Sequence, residues 1–465
     1  MTAVSDDPQP VGRFVTGSTL RHVVTMTATG SIGLAAVFAV DVLNLYYISQ
    51  LGQKELAAAI GYAGTLLFFV TSLAIGLSIA VTAMVSRALG RGDVAGARVL
   101  AGASLVLMGG AMTAAALLLY PWLGPLLGLL GATGETADLA LRFMRFVLPS
   151  APVLGLGMCL SALLRSLGDA RRAMTVTLGA GAATAVLDPM FIFGFGWALD
   201  GAALSTFLAR SVMMAIGLHA LLRVHRLYAA PDWAVLRETV RPFLAIGLPA
   251  VLTQVATPVG NAFVTAAIAP FGDDAVAGWA VVVRIIPVAF VALFALSGAI
   301  GPIFGQNLGA GRPDRLRATL HDSLRVILVY VLAVWLLLAL GSDLIADAFG
   351  TEGDARRIVV FFCLFVAGSF IFNGALFVAN AAFNNLGYPL YSTLLNWGRA
   401  TLGVVPFIWL GARWYGAEGV MAGYGLGVVL FGALGIVWCL RVLAAREIRT
   451  SGSAGTASAP ARRSR

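Results

Sequence analysis

The sequence predicts an all-α polytopic membrane protein, with twelve transmembrane helices in two six-helix lobes related by a pseudo-two-fold axis along the membrane normal. Three observations carry this. The 465 residues are 59% hydrophobic and 11% charged, with a mean hydropathy of +0.89, whereas soluble domains carry about 25% charged residues. Basic residues gather in alternate connections between apolar stretches, and short blocks of the first half recur in the second. The composition alone excludes a soluble enzyme and a disordered chain.

A helix rises 1.5 Å per residue, so a hydrocarbon core about 30 Å thick takes roughly 20 apolar residues per crossing. Residues 1–20 carry Asp6, Asp7, Pro8 and Pro10 ahead of the first apolar run. They lack the short apolar region and small-residue cleavage site of a signal peptide, and read as a cytoplasmic N-terminal segment. Spans at 23–48, 56–86, 97–120, 137–165, 170–194 and 199–222 follow, building an N-terminal lobe over 21–223. The longest polar connection, 224–240, reads as a cytoplasmic linker. Spans at 241–268, 275–306, 318–341, 355–385, 388–411 and 418–444 build a C-terminal lobe over 241–445. From 446 to 465, Ser, Gly, Ala and Arg without apolar periodicity read as a disordered cytoplasmic tail.

The formal charge of +9 would point to nucleic acid in a soluble protein, but here position matters more than sum. Arginines cluster at 87, 91 and 98, at 165, 171 and 172, at 223, 226, 237 and 241, and at 312, 315, 317 and 325. The intervening connections hold Glu135, Asp138, Asp200, Asp273, Asp274, Asp343, Asp347, Glu352 and Asp354. This is the positive-inside pattern, which places both termini in the cytoplasm and makes the lipid bilayer, not nucleic acid, the partner. His22, His219, His225 and His321 are not spaced as metal ligands. Cys159, Cys363 and Cys439 each sit in an apolar stretch, as small hydrophobes do. Neither a metal, a cofactor nor a catalytic residue set is implied, and no enzyme is expected.

Leu89-Gly90-Arg91-Gly92 with Arg98 recurs as Leu308-Gly309-Ala310-Gly311 with Arg317, an offset of 219. The same offset carries Phe143, Phe146 and Ser150 onto Phe362, Phe365 and Ser369, and Leu167-Gly168 onto Leu386-Gly387. Each half has an even number of spans, so the repeats share one orientation, and a binding cavity is expected between them.

A charged side chain inside a span costs about 2.5–3.5 kcal/mol on insertion scales, so such residues are functional candidates. Asp41 in the first span lies roughly 10 Å from its outer end, Asp188 in the fifth roughly 9 Å, and Thr206 in the sixth roughly 10 Å. Asn44 shares a helix face with Asp41, and Thr184 with Asp188. Pro189 cannot donate to the Ala185 carbonyl, which favours a kink. These five residues form a candidate ion-coupling site. A buried acid pair can exchange a proton near neutral pH, and the same oxygens suit sodium. The competing reading is that each acid bonds a neighbouring helix or reaches the outer interface.

The second half carries amides and arginines instead: Gln254 and Asn261 in the seventh span, Arg284 in the eighth, Asn373 and Asn380 in the tenth and Arg399 in the eleventh. Residues seven apart share a face, so these read as a cavity wall or, more plainly, as interhelical hydrogen-bonding groups. Arg210, four residues after Thr206, can reach the acidic cluster or the cavity. Pro249, Pro258 and Pro287 mark bends, and the glycines at 30 and 33, 155 and 157, and 423 to 427 allow close helix approach.

The two similar halves, Asp41 followed by Gln50-Leu51-Gly52, the Leu187-Asp188-Pro189 block with Gly194, and Gly201-Ala202-Ala203 leading to Thr206 resemble the multidrug and toxic compound extrusion family. The resemblance runs from about Thr19 to Arg446 and is closest to the DinF-like branch of prokaryotic exporters. It implies a monomeric alternating-access exporter in the plasma (inner) membrane of a prokaryote. Such a protein expels small amphipathic, often cationic compounds against an inward proton or sodium flow. It further implies an ion site on Asp41, Asp188 and Thr206. The branch often has Asn one turn before the fifth-span acid, where this chain has Thr184. The seventh-span Glu of another branch is replaced by Gln254 or a neighbour. Arg210, Arg284 and Arg399 sit awkwardly with a cavity for cations, so zwitterionic or anionic substrates stay open; export of a lipid-linked or anionic precursor is the alternative, against which it weighs that a strongly cationic cavity would need more than three mid-span arginines.

Overall fold

The structure is a computed structural model that describes the backbone of residues 12–49 and 54–457; the side chains of Asp41, five others between 42 and 49, Lys54 and those beyond Ala445 lie outside the described residues. It is all helical, because a backbone in hydrocarbon must satisfy its own polar groups. Eleven stretches are long and apolar enough to cross a membrane, and one of them, Pro389–Ala445, holds two crossings. The turn between those two is non-helical at Tyr415 and Gly416.

The first six crossings are α1 (Thr19–Ser49), α2 (Lys54–Gly90), α3 (Val94–Leu119) with the short α4 (Leu123–Leu129), α5 (Gly134–Val147) with α6 (Ala151–Ser166), α7 (Ala170–Pro189) and α8 (Ala198–His219). The second six are α9 (Trp233–Ile268), α10 (Asp273–Ala289) with α11 (Val291–Gly309), and α12 (Pro313–Leu340) followed by α13 (Ser342–Ala348). Then come α14 (Gly353–Phe361) with α15 (Phe370–Leu386), α16 (Pro389–Ala400), and α17 (Val405–Ala457), which completes the eleventh crossing and forms the twelfth.

The repeat extends to backbone detail. Left-handed glycines recur at an offset of 219: Gly92 with Gly311, Gly131 with Gly350, Gly134 with Gly353, and Gly168 with Gly387. Only glycine adopts that conformation without strain, so these turns are written into the sequence. Both α4 and its copy α13, and the 3-10 turns Leu148–Ser150 and Ala367–Ser369, keep the same offset.

The lobes hold each other at the basic end. Arg87 Nη2 donates to the carbonyls of Asn384 (3.2 Å) and Asn385, and Gln306 Nε2 donates to the Ser166 carbonyl at 2.7 Å. There α2 and α11 nearly touch backbone to backbone: a Cβ on Gly90 would lie 2.0 Å from the Gln306 carbonyl oxygen, and one on Gly309 2.2 Å from that of Arg87. Core packing crosses the boundary too. Val23 and Met26 at the start of α1 pack with the C-terminal core, and Phe243 and Ile246 at the start of α9 pack with the N-terminal one.

The N-terminal segment is more than a leader to the first span. Phe14 is 1% exposed inside the C-terminal core. Its amide donates to Gln306 Oε1 at 2.8 Å, while Arg315 donates to the carbonyls of Phe14, Thr16 and Gly17. Arg13 Nη1 donates to the Gly168 carbonyl of the other lobe at 2.9 Å. An apolar ring with its backbone donors satisfied packs as well here as inside a span, which hydropathy windows do not register. At the other terminus, the helical backbone of α17 continues to Ala457, past the expected boundary at 445. Extension of an existing helix needs no new nucleus.

Candidate functional site

Close packing sets the register of α1, α7 and α8. A Cβ on Gly33 would meet Thr177, one on Gly181 would meet Val40, and one on Gly179 would meet Ile216. α1 and α7 run in the same direction, so the first two contacts carry Asn44 to the level of Thr184 to Asp188. α8 runs in the opposite direction, so the third places Asp188 beside Ser205 to Phe207. These contacts place Asn44, Thr184, Asp188 and Thr206 on facing stretches of α1, α7 and α8. Asp41 lies on the same helix as Asn44, and its side chain is outside the described residues.

Asp188 ends the regular part of α7. With Pro189 unable to donate, the chain widens into a π-helical turn over Met190–Gly194, closed by Phe195 N donating to Met190 O at 3.0 Å. The carboxylate is 1% exposed, and neither oxygen has a hydrogen-bond partner among the described residues. Ser205 is the polar neighbour that faces it from α8. Thr184 and Thr206 donate to carbonyls of their own helices, Ala180 at 3.1 Å and Ala202 at 2.9 Å, and keep free lone pairs. Asn44 Oδ1 is buried and also has no partner among the described residues. Asp188 thus faces Ser205 with spare acceptor capacity, and no cation among the described residues pairs with it.

Toward the acidic end the site is roofed by aromatic rings. Phe191 stacks on Trp197 at 5.7 Å, Phe195 leans on Trp197 at 5.3 Å, and Tyr47 of α1 meets Phe193 edge-on at 6.0 Å. The sequence reading missed this roof and Ser205. The alternation of Phe191, Phe193, Phe195 and Trp197 was its available signal.

Arg210 is engaged within the N-terminal lobe: Nη1 donates to Ser150 Oγ at 2.7 Å and to the Val147 carbonyl at 3.4 Å. The 3-10 turn that joins α5 to α6 offers those acceptors directly beside α8.

In the C-terminal lobe, Gln254 and Asn261 are half-buried on α9, with Thr257 exposed on the same face, and Arg284 is exposed on α10. Asn373, Asn380 and Arg399 are buried, at 7%, 7% and 5% exposure. Asn380 is engaged inside the lobe, its Oδ1 accepting from Asn396 Nδ2 at 3.0 Å. At the repeat offset, Asp41, Asp188 and Thr206 fall on Gly260, Phe407 and Gly425, so the acid site has no counterpart in the second lobe.

Two repeated six-helix lobes joined at one end, with ionisable oxygens buried in one of them, define a secondary transporter. The MatE family profile matches residues 30–190 and 249–410, one segment in each lobe. The chain belongs to the MatE family. It is 29% identical over 419 residues to the FAD transporter of Shewanella oneidensis, covering 89% of this chain and 90% of that one. It is 23% identical over 393 residues to the multidrug export protein MepA of Staphylococcus aureus, covering 82% and 84%. The Vibrio cholerae MATE transporter VcmN in its bent form superposes with a TM-score of 0.88 at 26% identity, covering 92% of this chain and 98% of that one.

Proposed function

We propose that the protein is a proton-driven antiporter of the DinF-like branch that exports amphipathic compounds, with coupling in the N-terminal lobe. One observation carries this reading: Asp188 is buried with both carboxylate oxygens unpartnered among the described residues. Burying an unpaired carboxylate is costly, so the resting group holds a proton or a small cation. Loss of that proton creates a charge that the lobe can stabilise only by admitting water or rearranging α1 against α7. Protonation from outside closes the outward cavity and displaces substrate, and substrate from inside favours release of the proton after the return. The basic end faces the cytoplasm. One charge crossing 100 mV yields about 2.3 kcal/mol, and a tenfold pH difference adds about 1.4 kcal/mol.

In proteoliposomes, Asp188→Asn is expected to abolish efflux driven by a pH gradient while keeping the wild-type elution profile and melting midpoint. Proton-driven efflux that survives in this variant overturns the assignment. Efflux that follows an imposed sodium gradient and ignores pH replaces the proton with sodium at the same oxygens.

A second reading of the cargo, an anionic or zwitterionic compound, is favoured by Arg399, which has no carboxylate partner among the described residues. The FAD transporter relative supports it. Competition assays with anionic and cationic amphiphiles separate the two cargo classes.

A further inference from the structure

The eleventh crossing is broken inside the membrane. α16 stops at Ala400 and the helix resumes at Val405, with Thr401 at φ −111° and ψ −79°. Pro406 is the cause: it cannot donate to the Leu402 carbonyl, and its ring clashes with it. Irregular backbone at this depth persists only where it is buried in protein or lines a polar cavity.

Arg399 sits at this break. It is 5% exposed, its Nη2 donates to Thr257 Oγ1 on α9 at 3.2 Å, it contacts the Tyr424 hydroxyl on α17, and its buried Nε has no partner among the described residues. Helix-terminal carbonyls do not take the charge: Trp397 O accepts from Thr401, and Gly398 O from Gly403. Glu418 of α17 is held by Arg357 at 2.8 Å. A guanidinium has five donors in a fixed fork and keeps its charge even when buried. An isolated one in a membrane protein therefore needs an anion. Thr257 is exposed and lies between the half-buried Gln254 and Asn261 on one face of α9. Through it, the arginine is one side chain away from the surface that α9 presents.

We propose that Arg399, Tyr424 and Thr257 form an anion-binding site of the C-terminal lobe, reached from the Gln254–Asn261 face of α9. The fork and the two hydroxyls fit a compact anion: a halide, or the phosphate or carboxylate group of a larger molecule. As a site for a free anion it stands apart from the coupling reading. As a site for a cargo's anionic group it rests on the anionic reading above.

The test is thermal unfolding of the purified full-length protein in detergent at matched ionic strength. Sodium gluconate is the reference, and chloride, inorganic phosphate and n-hexyl phosphate are the probes. At least one probe is expected to raise the midpoint by about 2 °C or more. The rise should vanish in Arg399→Gln, shrink in Tyr424→Phe and Thr257→Val, and persist in Asp188→Asn. A rise with chloride supports a resident free anion; a rise with hexyl phosphate at lower concentration than inorganic phosphate supports an anionic cargo group. Equal responses of the wild type and Arg399→Gln, or no response to any probe, overturn the site and leave the arginine as a packing strut. If Arg399→Gln does not fold, unchanged responses in both hydroxyl variants overturn it equally. Persistence in Asp188→Asn keeps this outcome separate from that of the coupling test.

Discussion

Single residues show how the same side chain serves opposite ends. Arg210 and Arg399 both lie within spans, yet Arg210 has found neutral acceptors at a turn while Arg399 keeps a bare donor. Replacing Arg210 by Met is expected to cost about 1.5–3 kcal/mol, the range for hydrogen bonds to a charged group. The loss should appear in the melting midpoint, with cargo affinity unchanged. Asp169, at the basic end, caps α7 through the Arg172 amide at 3.0 Å, and also binds the Arg172 guanidinium at 2.6 Å and His225 Nε2 at 2.8 Å. Desolvation pushes its carboxyl up, but the Arg172 and His225 hydrogen bonds outweigh it and hold the group below its usual value. Its contribution is therefore full above the ordinary carboxylate range and is lost as pH falls through the lowered value. Melting curves taken from about pH 7 to pH 3 should fall more steeply for the wild type than for Asp169→Asn.

Among the elements, the N-terminal strap and the broken eleventh crossing stand out. The strap joins both lobes through Arg13 and Phe14, so it must loosen whenever the basic end opens. Phe14→Ala removes a fully buried ring, a change that costs about 3–5 kcal/mol in well-packed cores. Hydrogen exchange at the ends of α6 and α11 is expected to speed up in this variant while the acidic ends stay protected. Unchanged exchange there would show that the strap carries no part of the closure.

In the molecule as a whole, every hydrogen bond between the lobes among the described residues lies at the basic end. Glycine contacts reach only to mid-span, as where Gly76 meets Val251. Closure thus depends on how closely α2 and α11 can approach. Gly90→Val would drive a side chain into the Gln306 carbonyl and is expected to shift the population toward opening at that end. The three native cysteines are fully buried, so a reporter thiol reads cleanly. Thr257→Cys should label with a membrane-impermeant maleimide from the acidic side, and less in combination with Gly90→Val. Equal labelling would separate the glycine contact from the conformational balance.

The sequence by itself determined the twelve crossings and the duplication. Hydropathy, charge alternation and depth along a helix are one-dimensional quantities, and left-handed turns at Gly92 and Gly311 or Gly168 and Gly387 need glycine whatever surrounds them. Tertiary structure alone decided what each polar side chain meets. Among the described residues Asp188 meets Ser205 of α8 and no cation, Arg210 is spent on Ser150, Asn380 is bound by Asn396, and Phe14 is buried by a lobe whose core begins hundreds of residues away. A long side chain can reach any of several neighbouring helices, and which one lies within hydrogen-bond distance is set by helix packing that no single stretch of sequence contains.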